Sequence, residues 1–189
     1  MKGINMNINE YQKLTHTTAI YPVENDADLY YVTFGLINEI GEIIGKHKKV
    51  IRDKNSIYGA SELKEVSKEI GDAYWYISEE CTIFLIPLNE IIVGDEIIII
   101  KCFDLNQMIL TLSQGIGALS YDINTMLKFN YTRISYQCNI KTSLKFIHNQ
   151  LSNICHFLDL NIDEILFENI EKLRSRKERG VLKGSGDNR

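Results

Sequence analysis

Proline occurs only twice in this 189-residue chain, at Pro22 and Pro87, and outside those two breaks the apolar residues recur mainly at helical spacing. From Leu29 to Lys49, Leu29, Val32, Leu36, Ile40, Ile43 and Ile44 mark one face of a helix that begins after the turn Glu24-Asn25-Asp26. A second helix is expected from Ser61 to about Phe84 through Leu63, Val66, Ile70, Ala73, Tyr74 and Ile77, with Pro87 ending it. Two more follow, roughly Leu105–Leu127 and Ile140–Leu158. A last helix runs from Asn161, whose side chain can cap it, to about Arg179 before Gly180. The pattern predicts an all-α helical bundle in a single domain over 1–189. A hairpin at 29–84 forms its core, extra helices occupy about 86–158, and a C-terminal helix and tail occupy 161–189. The segment Ile91–Phe103 is apolar, β-branched and short, and reads equally as a strand or a buried connector. The tail Gly184–Arg189 is expected to be mobile without ligand.

The middle of the chain resembles a faded copy of what precedes it. Leu36, Ile40, Gly41 and Ile43 correspond to Leu112, Ile116, Gly117 and Leu119, and Lys68, Ile70 and Ile77 correspond to Lys145, Ile147 and Ile154. Two amphipathic helices can align by chance on their apolar stripes. A duplicated hairpin would instead have lost its charges in the second copy, where Gly115, Ala118, Phe146 and Asn149 stand opposite Glu39, Glu42, Glu69 and Asp72.

Those four acidic residues are the main chemical signal. Glu39 and Glu42 form one pair at i, i+3 and Glu69 and Asp72 another, each pair on one face of its own helix. Four converging carboxylates repel each other, and a hard divalent cation relieves the conflict; all-oxygen ligation suits Mg²⁺, with Mn²⁺ an alternative. Each pair encloses a glycine, Gly41 or Gly71, which costs about 1 kcal/mol in a helix interior and is expected here to let the two helices approach and share the metal. Exposed acidic residues on surface helices are the plain alternative. Lys46 and Lys49 continue the first stripe, and Asn169, Lys172, Arg176 and Arg179 repeat its spacing on the last helix, an arrangement suited to a metal-bound polyphosphate. Trp75, the only tryptophan, follows Asp72 by three residues and can stack on a base or belong to the core. The four histidines lack partner spacing and read as structural. A di-iron bundle is disfavoured, because no histidine lies three residues after Glu39 or Glu69.

The net charge of −4 and pI near 5.6 argue against a nucleic-acid or membrane-surface partner. The cysteines form no CxxC pair, no apolar stretch reaches the ~20 residues of a membrane span, and the N-terminus lacks a signal-peptide core, so a cytoplasmic protein is expected.

Taken together, Gly35-Leu36 with Asn38-Glu39-Ile40-Gly41-Glu42, Lys46 to Arg52, Glu62-Leu63, Glu69-Ile70-Gly71-Asp72, Trp75-Tyr76, Asn169 to Leu173 with Arg176, Arg179-Gly180 and the closing Gly184–Arg189 resemble the MazG-like all-α nucleoside triphosphate pyrophosphohydrolases, relatives of dimeric dUTPases and dCTP pyrophosphatases. The leading Thr17–Pro22 resembles the segment before the first metal helix. The resemblance implies that Glu39, Glu42, Glu69 and Asp72 hold Mg²⁺ and act in catalysis. It implies that Lys46, Lys49, Asn169, Lys172, Arg176 and Arg179 hold phosphates or sugar, that Trp75 lines the base pocket, and that the protein is a homodimer. The expected reaction converts a (deoxy)nucleoside triphosphate to its monophosphate and pyrophosphate, in a nucleotide-pool or house-cleaning role. The family's fuller motif has a glutamate where this chain has Asn38, which cannot accept a proton; a non-catalytic nucleotide- and metal-binding regulator is therefore the alternative.

Overall fold

Asn7 opens the first helix by accepting the backbone N–H groups of Asn9 and Glu10 on its side-chain oxygen, and the same device recurs along the chain. The computed structural model describes residues 7–92 and 104–182. Among them lie six α-helices and no strand: α1 (Ile8–His16), α2 (Ala27–Lys54), α3 (Ala60–Ile83), α4 (Leu105–Lys128), α5 (Arg133–Phe157) and α6 (Ile162–Glu178). Asp104 caps α4 in a full capping box with Gln107, Thr132 caps α5 through Ser135 N–H, and Asn161 caps α6 through Glu164 N–H. α2 is entered through Asn25 and Asp26 and left through Asn55, all three in the left-handed region that Asn and Asp tolerate better than most residues.

α2 packs along α3, and α4 along α5, giving two hairpins. α2 also meets α4 and α3 meets α5, while α1 and α6 lie against the first hairpin through α3. One continuous core runs through both hairpins, with Leu36, Ile43, Ile70, Ile77, Leu112, Leu119, Ile147 and Ile154 all wholly buried. Each such side chain contributes about 1.5–3 kcal/mol relative to an exposed one. Between the hairpins the Tyr74 hydroxyl meets His148 Nδ1 at 2.9 Å, and His47 bridges the Tyr58 hydroxyl and Asn106 Oδ1, both at 2.9 Å. The histidines at 47 and 148 are thus structural, as expected.

Three expectations need correction or placing. α5 begins at Arg133, not near Ile140, because the Thr132 cap starts a turn that no apolar repeat of helical spacing announces. The internal glycines do not draw α2 and α3 together. A Cβ at Gly41 would meet nothing within 4 Å, and one at Gly71 would press on Asn169 and Ile165 of α6 at 3.2–3.3 Å. The close approach of α2 and α3 occurs at Gly35, where a Cβ would sit 2.0 Å from Tyr76 Cε1. Of the Ile91–Phe103 segment, 93–103 lies outside the described residues, as does the tail Gly184–Arg189; before them Leu88–Glu90 forms a single 3₁₀ turn. Among the described residues no helix is long and apolar enough to cross a membrane.

Candidate active site

α2 and α3 run side by side, so the acidic positions of both helices meet where the hairpin faces α6. One carboxylate oxygen each from Glu39, Glu69 and Asp72 lies within 4.8 Å of the others. Burial, followed by the charges of Asp72, Glu42 and Glu69, pushes the Glu39 carboxyl up to about 8. Burial and then the Glu42 charge raise Glu69 as well. Like charges gathered in partly dry surroundings hold a proton when no cation balances them.

Two ammonium groups flank the cluster. Lys46 Nζ lies 3.1 Å from Glu65 and 3.4 Å from Glu69, and Lys172 Nζ from α6 donates to Asp72 Oδ1. The Asn169 amide donates to the same oxygen at 2.7 Å, while its own Oδ1, buried with the rest of a side chain only 4% exposed, has no hydrogen-bond partner. The three gathered carboxylates are a donor set of the hard, all-oxygen kind that Mg²⁺ and Mn²⁺ take. The residues present therefore fit the divalent cation that the sequence suggested.

Glu42 stands at the edge of this group. Asn38 Nδ2 donates to its Oε1 at 2.9 Å on the exposed side of α2, and it falls outside the three-carboxylate cluster. Lys49 is exposed in a groove with Lys54, Glu62 and Glu65, not at the carboxylates. Arg179, expected to hold phosphate, caps the end of α6 and folds back to donate to the carbonyl and hydroxyl of Ser175 at 3.3 Å.

A cleft opens beside the cluster, lined by Glu39 and Asp72 on one side and by Tyr31, Trp75, Tyr76 and the buried Arg176. The aromatic rings support one another: Trp75 stands perpendicular to Tyr76 at 4.9 Å, and Tyr31 lies 6.5 Å from Tyr76. Trp75 Nε1 donates to Thr18 Oγ1 at 2.9 Å. The indole is thus part of the cleft wall and not of the sealed core. The structure brings Glu39, Glu69, Asp72, Lys46, Asn169, Lys172, Arg176 and Trp75 into one neighbourhood.

Thr18 and Ile20, from the connector between α1 and α2, also line the cleft, and sequence reading gave them no role. A local signal existed. Trp75, Ser78, Glu79 and Thr82 recur at i, i+3, i+4 and i+7, a stripe of hydrogen-bonding side chains in the C-terminal half of α3 that asks for a polar partner.

The chain is 27% identical over 188 residues to the Gene 37 protein of Mycobacterium phage L5, an alignment that covers 97% of this chain and all of that protein. No family model matches the chain, and no solved structure matches it.

Proposed function

We propose that the chain is a Mg²⁺-dependent pyrophosphohydrolase that converts a (deoxy)nucleoside triphosphate to the monophosphate and pyrophosphate, serves nucleotide-pool or house-cleaning chemistry, and works as a homodimer. The observation that carries the reading is that carboxylates, a buried arginine and an aromatic wall all open onto the same cleft. A nucleoside triphosphate needs all three: a flat apolar surface for the base, fixed cations for the phosphates, and oxygen ligands for the metal that triphosphates carry.

When bound, the cation supplies Lewis-acid polarisation of a phosphoryl oxygen and of a water. Glu39, Glu69 and Asp72 would hold it, with Asn169 Oδ1 and Glu42 at its margin. Lys46 and Lys172 neutralise Glu69 and Asp72, and with a cation held by those carboxylates both ammonium groups would be free to meet phosphate oxygens. Arg176 is held within the cleft wall and meets the polyphosphate with a guanidinium already desolvated. In the reaction, water adds to the α-phosphorus, the bond to the β-phosphoryl bridging oxygen breaks, and pyrophosphate leaves with the electron pair.

A second reading, binding without turnover, is favoured by Asn38, an amide that donates to Glu42 and offers no base to an attacking water. The test is a panel of ribo- and deoxyribonucleoside triphosphates with Mg²⁺, products separated by chromatography and pyrophosphate assayed directly. Monophosphate and pyrophosphate that vanish on chelation support the first reading. Nucleotide binding without product supports the second.

A further inference from the structure

Residues 17–23 connect α1 to α2 and supply the Thr18 and Ile20 wall of the cleft, yet little apolar burial holds them there. Ile20 is 47% exposed, Val23 is 69% exposed, and Thr17 and Pro22 also face solvent. The attachments are polar, and most come from one stripe of α3. On the connector itself Trp75 Nε1 donates to Thr18, and on α1 just before it Ser78 Oγ lies 2.7 Å from Thr15 Oγ1 and Gln12 Nε2 donates to Thr82 Oγ1 at 3.3 Å. From α6, Lys177 Nζ donates to the Thr17 carbonyl at 2.8 Å.

Glu79 is the outlier in that stripe. Its side chain is wholly buried; Oε2 accepts the Tyr21 hydroxyl at 2.6 Å and meets His16 Nδ1 at 3.0 Å, and Oε1 has no partner. Burying a carboxylate with one oxygen unsatisfied costs several kcal/mol, a cost that an apolar residue would not incur at this position. The same cost makes the Tyr21 and His16 contacts strong, because letting go of them would leave the charge unsatisfied in a dry site. Tyr21 in turn abuts the aromatic wall, 5.6 Å from Tyr31 and 6.4 Å from Trp75 between ring centroids.

We infer that Glu79 is a positioning residue for the cleft: through Tyr21, and through His16 at the end of α1 where the connector begins, it latches the 17–23 connector onto α3, so that Thr18, Ile20 and Trp75 form the wall on which the nucleoside packs. The latch itself stands on hydrogen bonds; its role in substrate binding rests on the proposed nucleotide chemistry.

The two parts separate experimentally in the full-length chain. Tyr21→Phe keeps the ring and removes the hydroxyl, and Glu79→Gln keeps the shape and removes the charge. Trp75 is the only tryptophan, so acrylamide quenching of its fluorescence reports the connector without any ligand. In both variants, folded by circular dichroism, the quenching constant is expected to rise about twofold as the wall opens locally. If turnover is present, KM for the best triphosphate should rise about tenfold with kcat within about twofold of wild type, the signature of lost substrate positioning. Wild-type quenching in folded Tyr21→Phe overturns the latch. Raised quenching with unchanged KM overturns its role in binding. A wild-type protein that neither turns over nor binds any nucleotide refutes the nucleotide chemistry, and with it the role in binding, while the quenching result still decides the latch.

Discussion

Where α2 carries Glu39 and α3 carries Glu69, the α4–α5 hairpin carries Gly115 and Phe146. The fully buried positions of the two hairpins correspond, Leu36 with Leu112, Ile43 with Leu119, Ile70 with Ile147 and Ile77 with Ile154. In the first hairpin the intervening positions gather three carboxylates, two of which, Glu39 and Asp72, line a cleft. In the second, the Phe146 ring lies over Gly115, so that a Cβ there would come within 2.9 Å of Phe146 Cδ1 and 3.0 Å of Ile147 Cγ1. The same helical pairing is thus packed shut in one place and kept polar in the other. α3 buries Glu69, Glu79 and Glu80, whereas α5 buries Ser143, His148, Gln150, Ser152 and Asn153 but no carboxylate. Core packing alone does not require buried acid, since α5 is built without it; of the buried acids in α3, Glu69 belongs to the carboxylate cluster, while Glu79 meets Tyr21 and His16 and Glu80 meets Thr33.

The largest expected difference between the hairpins is chemical. Asp72→Asn or Glu69→Gln should lower turnover by about 10³-fold or more, and should remove the rise in melting temperature that Mg²⁺ gives the wild type. Asn149→Ala, at the position that corresponds to Asp72, should leave both unchanged. Equal losses in the two hairpins would break the comparison.

Next in size is the response to pH. Burial pushes Glu80 up to about 8 from 4.5, so the native state holds a proton that the unfolded state releases. Its contribution is full below about 4.5 and is lost as pH rises toward 8. The local geometry agrees: the Thr33 hydroxyl lies 2.7 Å from both the Leu29 carbonyl and Glu80 Oε1, its one proton can serve only one of them, and a proton on Glu80 completes the other contact. His148 in the second hairpin has the opposite sense. Burial lowers it to about 4 from 6.5, so its contribution is present above 6.5 and is lost as pH falls toward 4. In urea titrations across pH, Glu80→Gln should flatten the alkaline side of the metal-free profile and His148→Asn the acid side.

Smaller effects come from the glycines. Gly35→Ala and Gly115→Ala should each destabilise by about 1–3 kcal/mol, since Tyr76 and Phe146 must move aside. Gly35→Ala should also raise KM, because Tyr76 lines the cleft. Gly41→Ala, whose Cβ points into open space, should stabilise by about 0.5–1 kcal/mol, read from the denaturation midpoint.

Apolar periodicity made α2, α3, α4 and α6 legible in sequence, together with the Asn161 cap. The start of α5 is hidden because in Arg133–Asn139 the apolar Ile134, Tyr136 and Cys138 alternate at strand spacing, not helical spacing, and the helix start depends on the Thr132 cap. Spacing also keeps Glu69 with Asp72 and Asn169 with Lys172, since i, i+3 neighbours stay together on any helix, although Glu42, three residues after Glu39, falls outside the three-carboxylate cluster. Spacing does not carry Lys49 or Arg179 to the three-carboxylate cluster. Each lies ten residues along its helix from Glu39 or Asn169, about 15 Å at helical rise, too far to serve the same spot. Thr18, Tyr21 and Glu79 could not be joined from sequence alone, because their meeting depends on a connector with no periodicity folding back over α3.

The most direct test of the account is hydrolysis of a nucleoside triphosphate with Mg²⁺ in ¹⁸O-labelled water, with mass analysis of both products. Attack at the α-phosphorus predicts label in the nucleoside monophosphate and none in pyrophosphate. Label in pyrophosphate, or release of diphosphate and inorganic phosphate instead, would contradict it.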